Sequence, residues 1–152
     1  MYKYLIFVLA FYSNSSYGWE CPGEHKGSVT KFERHVELAT NIFLGKITTG
    51  YMATDTKIVF ELKISDVLKG GYNSTITLTT YNDILGPSIT IGKHYIIFLY
   101  GNNRIDFCGV TIELGNISTI KKLKNHLKSD GYFDEYTTKN LQYLLEVSSN
   151  QN

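Results

Sequence analysis

The sequence is poor in residues that fix covalent scaffolds or chemistry: two cysteines, two prolines, one tryptophan and four histidines in 152 residues. Two cysteines are too few for a disulfide-dense scaffold or a thiolate zinc site. No run of about 20 apolar residues occurs, so no membrane-spanning helix is expected. No charge dominates either, with 15 Lys and Arg against 14 Asp and Glu. That balance argues against nucleic acid as a partner, because phosphate binding needs a basic surplus on one face. Charged residues are only 19% of the chain and apolar residues 43%, so wholesale disorder is not expected. What is abundant is aromatic: 12 tyrosines and 8 phenylalanines. Such side chains fit a pleated surface, which leans the fold class toward mainly β.

Residues 1–18 read as an export signal. Lys3 precedes an apolar stretch over residues 4–12, and a small polar zone follows. Ser16 and Gly18 then stand at −3 and −1 of a cleavage site. The mature chain would begin at Trp19. It would be formally neutral, since Lys3 is the one charged side chain removed. Export sends the chain to the extracellular space or a periplasm, and the sequence does not choose between them. In an oxidising compartment, Cys21 and Cys108 are expected to pair rather than remain free thiols or join His25 or His35 on a metal. On the chain-entropy account, closing so long a loop would stabilise by up to about 4.6 kcal/mol.

Periodicity organises the rest. Val29, Phe32, Val36 and Ala39 recur at spacings of three and four, predicting a short amphipathic helix. Residues 41–49 read as a strand with a bulge or close approach at Gly45. Over residues 57–68, Ile58, Phe60, Leu62 and Ile64 alternate with Lys57, Glu61, Lys63 and Ser65, a half-buried strand. Gly70 and Gly71 end it. Residues 75–80 alternate again, with Ile76 and Leu78 inward. Residues 94–100 are apolar on both faces, so a second layer must cover them; Tyr95, Ile97 and Leu99 are assigned to the first core. A fifth strand is expected over 105–112. The period then lengthens to about 3.6, predicting a helix capped by Ser118 with Ile120, Leu123 and Leu127 inward. Lys121, Lys122, Lys124 and Lys128 fall on its solvated face. A second helix is expected within 134–147, burying Leu141, Leu144 and Leu145. These helices are expected to cover the outer face of the fourth strand.

Catalysis would need a nucleophile with its base, a carboxylate pair or a metal cluster. None is legible. His25, His35, His94 and His126 are scattered, and Asp55, Asp66, Asp83 and Asp106 lie near turns or strand ends, where short polar side chains cap loops. No enzymatic activity, cofactor or resident metal is expected. Tyr72, Tyr81 and Tyr100 offer rings for stacking a sugar, against the plainer reading that they pack inside the sheet. Asn73-Ser74-Thr75 and Asn116-Ile117-Ser118 fit the N-glycosylation pattern.

Five segments in order carry a resemblance. Residues 39–47, ATNIFLGKI, are similar to the A-D-x-V-F-x-G-x-V strand of the tissue inhibitors of metalloproteinases and their bacterial relatives. Residues 60–62 through 67–70 resemble that family's F-x-V … V-x-K-G strand end, and residues 77–80 its V-x-V-x-T strand. Residues 92–98, GKHYIIF, are similar to G-K-x-Y-L-V-F, and Cys108-Gly109-Val110-Thr111 resembles the closing C-x-x-T. The resemblance implies a five-stranded antiparallel Greek-key barrel of the OB-like, netrin-module kind over residues 19–115; with the flanking helices read from periodicity, residues 116–152 are then a C-terminal helical extension packed on the barrel.

It also implies a partner and a site. In these inhibitors, the α-amino group and carbonyl of the first mature residue, a cysteine, chelate a protease's catalytic zinc. The next side chain enters the specificity pocket. The matching stretch here is Trp19-Glu20-Cys21-Pro22. Cys21 keeps the second family cysteine and Cys108 its partner, whereas Trp19 replaces the first cysteine, and Leu85-Gly86 stands where that cysteine's partner would be. One whole disulfide is absent. Ordering a looser N-terminus costs affinity, and Glu20 would carry a carboxylate into a pocket that is typically apolar. Two functions therefore stand. One is a secreted inhibitor of a zinc metalloprotease acting through Trp19, Glu20, Cys21 and Pro22. The other is a non-inhibitory secreted or envelope module that binds another extracellular protein with the same barrel.

Overall fold

A computed structural model describes residues 31–71, 74–81, 88–105, 110–129 and 131–150. Within them, the predicted alternation becomes strands, all paired antiparallel: β1 (Asn41–Met52), β2 (Lys57–Lys69), β3 (Thr75–Tyr81), β4 (His94–Leu99) and β5 (Thr111–Gly115). Their order is β3-β2-β1-β4-β5. Three helices accompany them, α1 (Lys31–Leu38), α2 (Ile120–Lys128) and α3 (Glu135–Ser149). The fold is thus mainly β, a five-stranded antiparallel sheet with three helices. The ladder is open, with β3 at one margin and β5 at the other.

Side chains on the two sheet faces build two cores. One contains Phe60, Leu62 and Ile64 of β2, Ile76 and Leu78 of β3, and Tyr95, Ile97 and Leu99 of β4, with Ile58 packed at its edge. These are the inward positions expected from the alternation. Phe43, Ile47 and Ile105 join them. The opposite face gathers Ile42, Leu44, Ile96 and Phe98 under Phe32 and Val36 of α1, Leu123 of α2, and Leu141, Leu144 and Leu145 of α3. The rings of Phe32 and Phe98 meet edge to face at 5.6 Å. Residues 95–99 are buried on both faces because helices cover the second side, which is why that segment carries no alternation.

β1 and β2 pair along nearly their whole length, with irregularities in register along the way. The register shifts at Gly45, where an added Cβ would fall 2.6 Å from the Lys63 carbonyl oxygen. Only glycine allows the strands to approach so closely. Two further shifts lie between Ile42 and Phe43 and between Ile47 and Thr49.

The helices are fixed to the sheet by charged residues at one end of β2. Asp66 Oδ2 accepts a hydrogen bond from the Ile120 N–H (3.1 Å), at the N-terminus of α2. Lys69 Nζ donates to the carbonyls of Val36 (2.8 Å) and Glu37 (2.9 Å), in the last turn of α1. A carboxylate meets the positive end of one helix and an ammonium the negative end of another, the favourable sense for each macrodipole. Gly70 follows with φ of 90°, a region that disfavours a side chain, and Gly71 N–H donates to Asn41 Oδ1 (3.2 Å).

Two expectations shift. Thr119, not Ser118, caps α2, accepting from the Lys122 N–H (3.2 Å); Ser118 Oγ instead accepts from Lys122 Nζ (3.0 Å). The fifth strand runs over Thr111–Gly115 instead of 105–112. At its expected start, Ile105 is buried in the first core, and the preceding residue, Arg104, forms an isolated parallel bridge with Thr79.

Candidate interaction surface

Trp19, Glu20, Cys21, Pro22 and Cys108, the residues singled out by sequence, lie outside the described residues. His25, Tyr72, Asn73, Asp83, Leu85, Gly86 and Asp106 do as well.

The described histidines stand in three separate places. His35 Nδ1 is 2.6 Å from the Tyr100 hydroxyl, at the α1 end of the molecule. His94 Nδ1 is 3.3 Å from the Gly115 carbonyl, between β4 and β5. The His126 ring lies against Tyr132, with centroids 4.8 Å apart, at the end of α2. Among the described residues, no three His, Cys, Asp or Glu side chains gather as metal ligands. Asp66 is a helix cap. Asp134 is another, accepting from the Thr137 N–H (2.9 Å) and hydroxyl (2.6 Å), contacts that hold its carboxyl below the usual carboxylate range. Burial pushes the Tyr143 hydroxyl up, helped by the carboxylates of Glu33, Glu37 and Glu146. The His35–Tyr100 pair takes Tyr100 out of the set of rings free to stack a ligand.

The described feature that stands apart is the end of the sheet remote from Asp66 and Lys69. Here β1 outruns its expected limit and continues past Gly50 to Met52. Met52 pairs across the strands with Ile58, Tyr51 with Val59, and Lys57 with Tyr81. Tyr51 is 62% exposed, Met52 55%, Ile91 53% and Tyr81 47%. Ile91, in the connection before β4, closes on the same place. Its Cδ1 would lie 3.4 Å from a Cβ added at Gly50, where Phe60 carbons would be only 2.7 and 2.8 Å away. Gly50 therefore makes room for the Phe60 ring, and Ile91 packs beside it. The Arg104 guanidinium lies 5.7 Å from the centre of the Tyr81 ring, within cation–π reach.

Two aromatic rings, a thioether, a branched aliphatic side chain and a guanidinium are thus presented by the ends of β1 and β3, the segment before β4 and the segment after it. Single exposed hydrophobic residues are ordinary; here they gather at one sheet end but on its two faces, Tyr51 and Tyr81 on the face of Lys57 and Val59, and Met52 and Ile91 on that of Ile58 and Phe60. Tyr, Met and Arg are also the residue types enriched at the centres of protein interfaces. Reading the sequence alone missed Tyr51, Met52, Ile91 and Arg104. The available signal was an apolar pair directly after Gly50, obscured because glycine resembles a strand terminator. Tyr81 was noticed for its ring, yet its exposure depends on where β3 ends.

No protein-family model and no curated protein sequence matches this chain.

Proposed function

We propose that this chain is an exported, non-catalytic protein-binding module that engages an extracellular partner through the sheet end formed by Tyr51, Met52, Tyr81 and Ile91. The observation carrying this reading is the exposure of four large apolar side chains at one end of a sheet whose two faces are otherwise well packed. The partner class named by the sequence resemblance is a secreted zinc metalloprotease. Export by residues 1–18 and a Cys21–Cys108 disulfide belong to the same proposal, since the disulfide would hold the mature N-terminus beside the segment leading into β5.

The barrel is part of the proposal as well. Thr79 N–H donates to the Asn103 carbonyl (2.9 Å), and Ile105 N–H donates to the Thr79 carbonyl (2.8 Å). These contacts support an OB-like, Greek-key closure in which the chain between β4 and β5 meets the free margin of β3. The shared burial of Ile105, Leu78 and Leu99 in one core favours the same closure.

The inhibitory form of the reading requires the amine of Trp19 to reach a protease zinc. The test uses secreted protein with a Trp19 start, assayed against a panel of metalloproteases before and after acetylation of that amine. Inhibition abolished by acetylation supports the inhibitor, because the acetylated nitrogen loses the lone pair that binds metal. If no protease is inhibited, a photo-crosslinking residue at position 51 or 91 tests the module. Capture of an extracellular protein from those positions, and not from position 124 on α2, supports it. Equal capture from all three positions removes the surface assignment.

A further inference from the structure

We infer that Asn116 is a site of N-linked glycosylation, placed at a rigid corner between β5 and α2. The inference rests on the export reading, taken in a secretory pathway that glycosylates asparagine. The motif Asn116-Ile117-Ser118 supplies the acceptor amide and the hydroxyl two residues on. Many such motifs are unusable because the asparagine is buried or sits inside a helix or strand. Here it is neither. β5 ends at Gly115, whose φ of 59° turns the chain out of the sheet, and Asn116 follows on that turn with its side chain exposed.

The flanking residues face the other way. Ile117 is 2% exposed within the helix-covered core, and its N–H donates to the Leu114 carbonyl (3.1 Å). Ser118 is half-buried against Lys122, which donates to its hydroxyl (3.0 Å). Asn116 is therefore an outward residue on a corner tied down at both sides. A glycan there leaves both cores undisturbed. It would also stand at the end of β5, the margin of the sheet, where an unpaired edge invites association with another chain.

The modification joins Asn116 Nδ2 to the anomeric carbon of a lipid-pyrophosphate-linked oligosaccharide. The anomeric C–O bond to the pyrophosphate breaks, the lipid pyrophosphate leaves, and the amide nitrogen gives up one proton. Nothing is oxidised or reduced.

The test is secretion of the full chain from insect cells as Asn73→Gln, which removes the other motif, and as that variant with Asn116→Gln or Ser118→Ala added. We expect the exported Asn73→Gln chain, starting at Trp19, to lose one step of apparent mass on treatment with peptide-N-glycosidase. Peptide mapping should then read aspartate at position 116, and both double variants should be insensitive to the enzyme. An exported Asn73→Gln chain with the Trp19 start and an unmodified Asn116 overturns the inference while leaving export intact. A chain retained in cells with residues 1–18 attached overturns the export reading and this site with it.

Discussion

The two ends of β2 have different surroundings, polar and tied at one, apolar and exposed at the other. At the Asp66–Lys69 end, a carboxylate caps α2, an ammonium caps α1, and Gly71 is tied to Asn41. Polar groups there are spent on holding helices to a sheet. At the Lys57 end, the neighbouring side chains are Tyr51, Met52 and Tyr81, all large and exposed. The lesson is that one strand can be a structural anchor at one end and leave large apolar side chains in water beside the other. Exposed apolar groups gain little from folding, which is why this end is proposed as the binding surface.

The contrast can be broken most forcefully from the middle. Phe60 fills the first core beneath Gly50, and Phe60→Ala is expected to destabilise by about 3–5 kcal/mol in urea unfolding. An effect under about 1 kcal/mol would mean that the core at this end is loosely packed. Next come the anchors. Lys69→Met keeps the aliphatic stem but removes the donor to two helix-end carbonyls, and should cost about 1–2 kcal/mol. Asp66→Ala removes the acceptor at the start of α2 and should cost about 1 kcal/mol, with faster amide exchange confined to that helix.

At the opposite end, Tyr51→Ser with Met52→Ser should change stability by no more than about 0.5 kcal/mol per site, because both side chains are largely in water already. The same pair should abolish crosslinking from position 91 if this end is the contact surface. A large stability loss would instead make it a packed part of the fold.

The smallest expected effect is a pH dependence at α3. Hydrogen bonds from Thr137 lower the carboxyl pKa of Asp134 in the folded state. A depressed folded pKa contributes stability above the unfolded value, and that contribution is lost as pH falls through the folded one. Amide protection at Thr137 should therefore weaken on acidification below the ordinary aspartate range. In Asp134→Asn it should be flat over the same interval.

Local periodicity determined β2 and β3 with their inward residues, the position of β4, and the two C-terminal helices. Residues 57–64 carry their own alternation, and residues 120–127 their own helical spacing, whatever surrounds them. It also determined that residues 94–100 needed cover on both sides. Gly45 was legible as a bulge because a glycine interrupting a strand has few other uses.

Only the tertiary structure decided what covers what. That Asp66 caps α2 and Lys69 caps α1 cannot be read locally, since the partners are 54, 33 and 32 residues away in sequence. The fifth strand moved to Thr111–Gly115 because pairing with β4, a long-range choice, set its register, while Arg104 was taken by β3. The exposed sheet end was hidden for the same reason. Tyr51, Met52, Tyr81 and Ile91 are unremarkable in sequence, and whether such residues end in a core or at an open rim depends on where neighbouring strands stop. Side-chain period is a property of a few consecutive residues, whereas exposure belongs to the assembled sheet.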